Sequence, residues 1–90
     1  MILGRFREDC PRHLAQLKGD AEAGELRKAA AMVHLIKGSS ATVGAAALQA
    51  QALELEVFAQ AGDLEALQAG LPSLFREFEQ FSLAAQGFIP

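Results

Sequence analysis

Apolar side chains recur every three or four positions along almost the whole of this chain, with polar residues filling the intervals. Leu3, Phe6, Cys10, Leu14 and Leu17 trace the first stripe, and Leu26, Ala29, Val33, Ile36, Ser40 and Val43 the second. Leu48, Ala52, Leu55 and either Phe58 or Ala59 make a third, and Leu67, Leu71, Leu74, Phe75, Phe78 and Phe81 a fourth. That spacing puts each set on one face of a helix and so into a core. Turn signals at Gly19-Asp20, Gly24, Thr42 to Gly44 and Gly62-Asp63 divide the chain into four segments. The pattern predicts helices over about residues 3–22, 25–41, 45–61 and 63–85, in one domain covering residues 1–90. Gly62 ends the third helix and Asp63 is a suitable N-cap for the fourth. Short links between amphipathic helices of similar length make neighbours antiparallel. The expected fold is therefore all-α, an up-down-up-down four-helix bundle.

Two prolines disturb this periodicity. An interior proline costs a helix on the order of 3 kcal/mol and bends it, so Pro11 either kinks the first helix or places its start near Asp9. The kinked helix is preferred because Phe6 keeps the apolar phase. Pro72 similarly marks a kink in the fourth helix or divides it in two. The terminal stretch Q-G-F-I-P continues no stripe and is expected to pack loosely.

Composition agrees with helix throughout: 51% hydrophobic and 21% charged residues, no Trp or Tyr, and much Ala, Leu, Glu and Gln. A net charge of −3 and a pI near 5.2 argue against a nucleic-acid partner, which needs a clustered basic surface. Apolar runs such as Ala29 to Val33 and Gly44 to Leu48 fall far short of the roughly 20 residues of a membrane span. The expected setting is a soluble, cytoplasmic module, either free-standing or part of a membrane-anchored protein. Cys10, the one cysteine, has no partner for an internal disulfide and reads as a small packing residue.

The stretch V-H-L-I-K-G-S-S, residues 33 to 40, places polar groups inside an alanine-rich helix. His34 follows core residue Val33 and so lies about 100° round the axis, facing outward. Ala30, Ala31, Lys37, Gly38 and Ala41 share its side, a flat patch with one cation. An interior helical glycine costs about 1 kcal/mol relative to alanine, so Gly38 marks a place where a side chain would obstruct an approaching protein. Metal binding by His34 lacks further ligands at workable spacing, because His13 is the only other histidine. Ser-His-Asp hydrolysis lacks a nucleophile on a strained turn, and Ser40 points inward. The third chemistry, with the imidazole itself as nucleophile, fits its surroundings best. An acceptor on one ring nitrogen fixes the tautomer that leaves the other nitrogen bare. Antiparallel packing offers Glu56 for that role, with Glu54 as the fallback, and Lys37 can neutralise a transferred phosphoryl group.

The run H-L-I-K-G-S-S-A-T-V-G-A, residues 34 to 45, resembles the signature of histidine-containing phosphotransfer (HPt) domains. The resemblance extends to F-R-E-D-C-P-R-H-L-A-Q-L before it and A-L-Q-A-Q-A-L-E-L-E after it. It implies a phosphoryl carrier of two-component phosphorelays, taking a phosphoryl group on His34 from the aspartyl phosphate of one receiver domain and passing it to the aspartate of another. The implied partners are receiver domains of a hybrid kinase and a response regulator. By the same resemblance Lys37 contacts phosphoryl oxygens, Glu56 hydrogen-bonds the inner imidazole nitrogen, Gly44 makes the sharp turn between helices, and Gly38, Ser39, Ala30, Ala31 and Ala41 form the receiver docking surface. No resident metal, cofactor or nucleotide site is implied, Mg²⁺ being held by the receiver, and a monomer suffices.

Two places depart from the family pattern: Met32-Val33 precedes the histidine where alanine is common, and Glu56 stands where glutamine is frequent. The competing readings are a non-catalytic helical interaction module, or a kinase dimerisation domain, which usually carries an acidic residue after its histidine where Leu35 stands here. The phosphotransfer domain of chemotaxis kinases has a similar H-x-I-K-G stretch but differs after it. His13 reads as a surface residue, and the Arg27-Lys28 pair as a solvated face able to steer an acidic receiver.

Overall fold

The computed structural model describes residues 2–86, and within them the chain reverses direction three times, each time on a glycine with positive φ. Helix α1 spans Ile2–Glu22, α2 Leu26–Thr42, α3 Ala46–Gln60 and α4 Leu64–Ala85. Gly24, Gly44 and Gly62, at φ of 73°, 74° and 75°, follow the first three helices. Each reversal has the same pair of backbone hydrogen bonds: Gly24 N to Ala21 O and Glu25 N to Asp20 O, Gly44 N to Ala41 O and Ala45 N to Ser40 O, Gly62 N to Ala59 O and Asp63 N to Phe58 O. This is the Schellman arrangement, in which a left-handed residue satisfies the last carbonyls of a helix. The residue after each glycine is already the N-cap of the next helix, so the connections have no slack. Asp63 performs that role with its side chain, accepting from Ala66 N at 3.0 Å.

Gly19-Asp20 makes no turn. Both residues lie inside α1, whose C-terminal signal is Gly24 alone, and Asp20 is buried with its carboxylate accepting from Gln16 at 3.0 Å. Pro11 and Pro72 are exposed within α1 and α4. The fourth segment is therefore one helix and not two. The residues after Gln86 lie outside the described part, as does the expectation of a loose end there.

The four stripes meet in one core, in an antiparallel four-helix bundle. Leu17, Ile36, Leu48, Leu55, Leu67 and Leu74 are fully buried, each contributing roughly 1.5–3 kcal/mol relative to exposure. Ala59, not Phe58, takes the last inward place of α3, while Phe58 packs at the rim. On α4 the three phenylalanines are only partly buried. Two of them close over Phe6, which is buried and sits 5.8 Å from the Phe78 ring and 5.6 Å from that of Phe81, the latter edge-on.

Helix α2 packs against both α1 and α3, most extensively α3, and α4 against α3. Gly70 allows the α3–α4 approach, since a Cβ there would overlap the fully buried Leu55 side chain. The fourth seam, α1 against α4, is the sparsest. Hollows of about 410, 430 and 530 Å³ dent it, lined by Pro11, Leu71, Phe75 and Phe78 among others. Gln68 donates across it to Ala21 O at 2.8 Å and Arg7 to Ser82 Oγ at 3.2 Å. No described helix is long and apolar enough to cross a membrane.

Candidate functional site

Everything at the site is carried by the α2–α3 hairpin, which Gly44 closes. On α2 the buried positions are Ala29, Val33, Ile36 and Ser40. Ser40 stays within its own helix, its hydroxyl donating to Ile36 O at 2.7 Å. His34 is on the opposite side, with 72% of its side chain exposed. Glu56 belongs to the buried face of α3, beside Leu55 and Ala59. Its phase on the helix turns it inward toward α2, whereas the fallback Glu54 is exposed and plays no part.

A carboxylate buried this deeply needs hydrogen-bonding partners, and Glu56 has two. Oε2 lies 2.7 Å from His34 Nδ1, and Oε1 accepts from Lys37 Nζ at 2.6 Å. The hydrogen bond from Lys37, then that from His34, holds the carboxyl below its usual pKa against the opposing effect of burial. An ionised carboxylate only accepts, so Nδ1 carries the ring proton. In the neutral ring the lone pair is then on Nε2, on a side chain that is largely exposed. The ring is tethered at one nitrogen and available at the other, the arrangement a nitrogen nucleophile needs.

Lys37 was expected to contact phosphoryl oxygens, and its pairing with a carboxylate was not foreseen. Its ammonium is drawn across to α3 and only 26% of the side chain is exposed. It keeps further N–H donors, one turn along the helix from His34.

The other members of the expected docking surface divide. Ala31, Gly38 and Ala41 are exposed on the outward side of α2, and a side chain at Gly38 would meet open space. Ala30 is half-buried toward the core. Ser39 faces the other way, lining a hollow of about 210 Å³ between α1 and α2 with Phe6, Cys10, Thr42 and His13. His13, expected on the surface, is half-buried there.

Three residues of this face had been passed over. Leu35, Leu53 and Val57 are among the large apolar side chains left exposed, at 44%, 50% and 55%. Leu35 adjoins His34 in the chain, and Leu53 and Val57 lie one turn apart on α3, on either side of Glu56. The sequence did contain a signal, because Leu53 and Val57 fall outside the Leu48, Ala52, Leu55, Ala59 stripe. An apolar pair off the core face is not explained by packing of the bundle.

Among the described residues no group of three His, Cys, Asp or Glu side chains is placed to hold a metal ion. The fold and the site together make a four-helix bundle with an exposed imidazole, held at one nitrogen by a carboxylate, on the outer face of one hairpin. Residues 1–84 match the family model of the Hpt domain, and the chain belongs to that family. Hpt domains act in phosphotransfer within two-component systems and interact with receiver domains. Comparison with curated proteins and with solved structures gave no match.

Proposed function

We propose that His34 is the phosphoryl-carrying residue, taking the group from the aspartyl phosphate of one receiver domain and delivering it to the aspartate of a response regulator. The observation that carries this reading is the one-sided tethering of the ring, with Nδ1 on Glu56 and the rest of the side chain in solvent. In the forward step the Nε2 lone pair attacks phosphorus, the bond from phosphorus to the aspartyl oxygen breaks, and the aspartate leaves as a carboxylate. The histidine loses no proton. Nδ1 keeps its hydrogen, the phosphorylated ring becomes a cation, and the Glu56 carboxylate stabilises that charge where it develops. Transfer onward reverses these bond changes with a second carboxylate as acceptor.

Lys37 stabilises phosphoryl oxygens through the donors that Glu56 leaves unused. Ala31, Gly38 and Ala41 let the partner's backbone come close, and Leu35, Leu53 and Val57 give it apolar contact. In this reading Mg²⁺ is held by the receiver and the nucleotide by the kinase that begins the relay. The bundle works as a monomer in the cytoplasm, alone or as a module of a hybrid sensor kinase.

The experiment is transfer of radiolabel from a phosphorylated receiver, with Mg²⁺, to the 90-residue chain. The expected label is acid-labile and alkali-stable, and absent from His34→Gln. Label that persists in His34→Gln overturns the assignment.

A further inference from the structure

Helix α2 contains Arg27, Lys28 and Lys37 and no acidic residue, on a chain whose formal net charge is −3. Lys37 is paired with Glu56. Arg27 and Lys28 are exposed, and among the described residues neither forms an ion pair or a side-chain hydrogen bond. Glu25, the N-cap residue just before them, makes no pair with either.

Their position relative to His34 gives this excess charge a meaning. Arg27 precedes His34 by seven residues, nearly two full turns, so it stands on almost the same line of the helix surface, about 10 Å along the axis. That is close to one Debye length at physiological ionic strength, about 8 Å. A standard protein contact covers roughly 800 Å² on each partner, a patch about 16 Å in radius. A partner that reaches Nε2 therefore lies over Arg27 as well. In the other direction along the same line are Gly38, Ala41 and Thr42, with no charge. Along α2, then, the unpaired positive charge lies at the end near the α1–α2 turn, beside the exposed Glu22 and Glu25 of the turn itself, and none lies at the end near Gly44.

We infer that Arg27 and Lys28 steer and orient the partner, selecting receivers whose surface beside the reacting aspartate is acidic on the side lying over the α1–α2 turn. This rests on the phosphotransfer reading above. Exposed charges at this distance act chiefly on the rate of productive encounter and on orientation, not on the chemical step.

The test uses the full chain, a panel of receiver domains charged with acetyl phosphate and Mg²⁺, and the receiver that transfers fastest. Transfer is followed at low and high ionic strength for wild type, Arg27→Glu/Lys28→Glu, the milder Arg27→Gln/Lys28→Gln, and the charge-matched control Lys18→Glu/Arg76→Glu on α1 and α4. At low salt the charge reversal should lower kcat/KM about tenfold or more with kcat unchanged. The glutamine pair should fall between it and wild type, the control pair should stay near wild type, and all differences should shrink at high salt. Unchanged kcat/KM in the reversal, an equal loss in the control pair, or a loss that persists at high salt overturns the steering role while leaving His34 as carrier. Failure of the wild-type chain to take label from any receiver overturns both.

Discussion

His34 Nδ1 and Glu56 Oε2 lie 2.7 Å apart although 22 residues separate them in the chain. The distance follows from the turn. His34 stands as far before Ala45, the N-cap of α3, as Glu56 stands after it, so antiparallel helices of equal rise bring the two to the same height. The Gly44 reversal thus fixes which carboxylate reaches the imidazole, and it also delivers Lys37 to the same carboxylate.

Removing the acceptor should cost activity in proportion to what replaces it. Glu56→Ala frees the ring and leaves Lys37 without its anion, so the rate of phosphoryl transfer should fall roughly 10- to 100-fold, as when a residue orienting a reactive histidine is lost. Glu56→Gln keeps an acceptor for Nδ1–H and should retain more of the rate. Single-turnover transfer from a labelled receiver measures both, and equal rates for wild type and Glu56→Ala would show that the hydrogen bond does not matter to the chemistry.

Glu56 also gives stability an acid-side slope. Its folded pKa is lowered, first by the hydrogen bond from Lys37 and then by that from His34. In the acid range the unfolded chain therefore binds more protons at this residue than the folded one. The resulting stabilisation is full above the ordinary carboxyl value of about 4.3 and disappears as pH falls through the depressed folded value. Denaturant midpoints compared between wild type and Glu56→Gln should differ at neutral pH and converge on acidification. Parallel curves would contradict this.

At Gly38, stability and activity should move in opposite directions. The position is helical, exposed and open around its missing Cβ, so Gly38→Leu should stabilise the fold by roughly 0.5–1 kcal/mol through helix propensity. The same side chain stands in the proposed docking face, where a misfit of about 1–3 kcal/mol corresponds to roughly a 5- to 150-fold loss of partner affinity. Thermal melts and receiver binding measured on one sample check both signs. A variant that is more stable and binds as well as wild type would remove Gly38 from the interface.

The pattern that identified the bundle also placed most side chains of the candidate site, for one physical reason: helical phase decides orientation, and phase is legible in the sequence. It turned Ser40 inward and His34 outward, and it placed Glu56 within reach across the hairpin. Gly19-Asp20 misled because glycine and aspartate have turn chemistry that a neighbouring helix can override, here by burying Asp20 against Gln16. The binding of Lys37 to Glu56 was hidden because a flexible four-carbon side chain can choose among partners, and that choice depends on where a carboxylate on another helix ends up. Ser39 was assigned to the His34 side by its place in the motif, although its phase carries it toward α1. Leu53 and Val57 went unnoticed because attention to the core stripe leaves off-stripe leucines and valines unexplained.

Cys10 should be chemically silent in the folded protein. Its side chain is buried, and desolvation pushes the thiol up to about 12, so near pH 8 only about one molecule in ten thousand carries the reactive thiolate. A thiol reagent should modify it at a rate set by unfolding and rise to full reactivity in denaturant. Because the folded value is raised, its stabilising contribution is complete below the unfolded thiol value of about 8.5 and is lost as pH climbs toward 12. Native-state labelling at the rate of a free thiol would place Cys10 in contact with solvent.

The sparse α1–α4 seam has a consequence for the order in which the molecule opens. With the sparsest packing and the larger hollows along this one seam, partial unfolding costs least where α1 and α4 separate. Amides of those two helices should exchange with deuterium before those of the α2–α3 hairpin. His34 and its carboxylate would then sit in the last cooperative unit to loosen, so that breathing elsewhere in the bundle leaves their alignment intact.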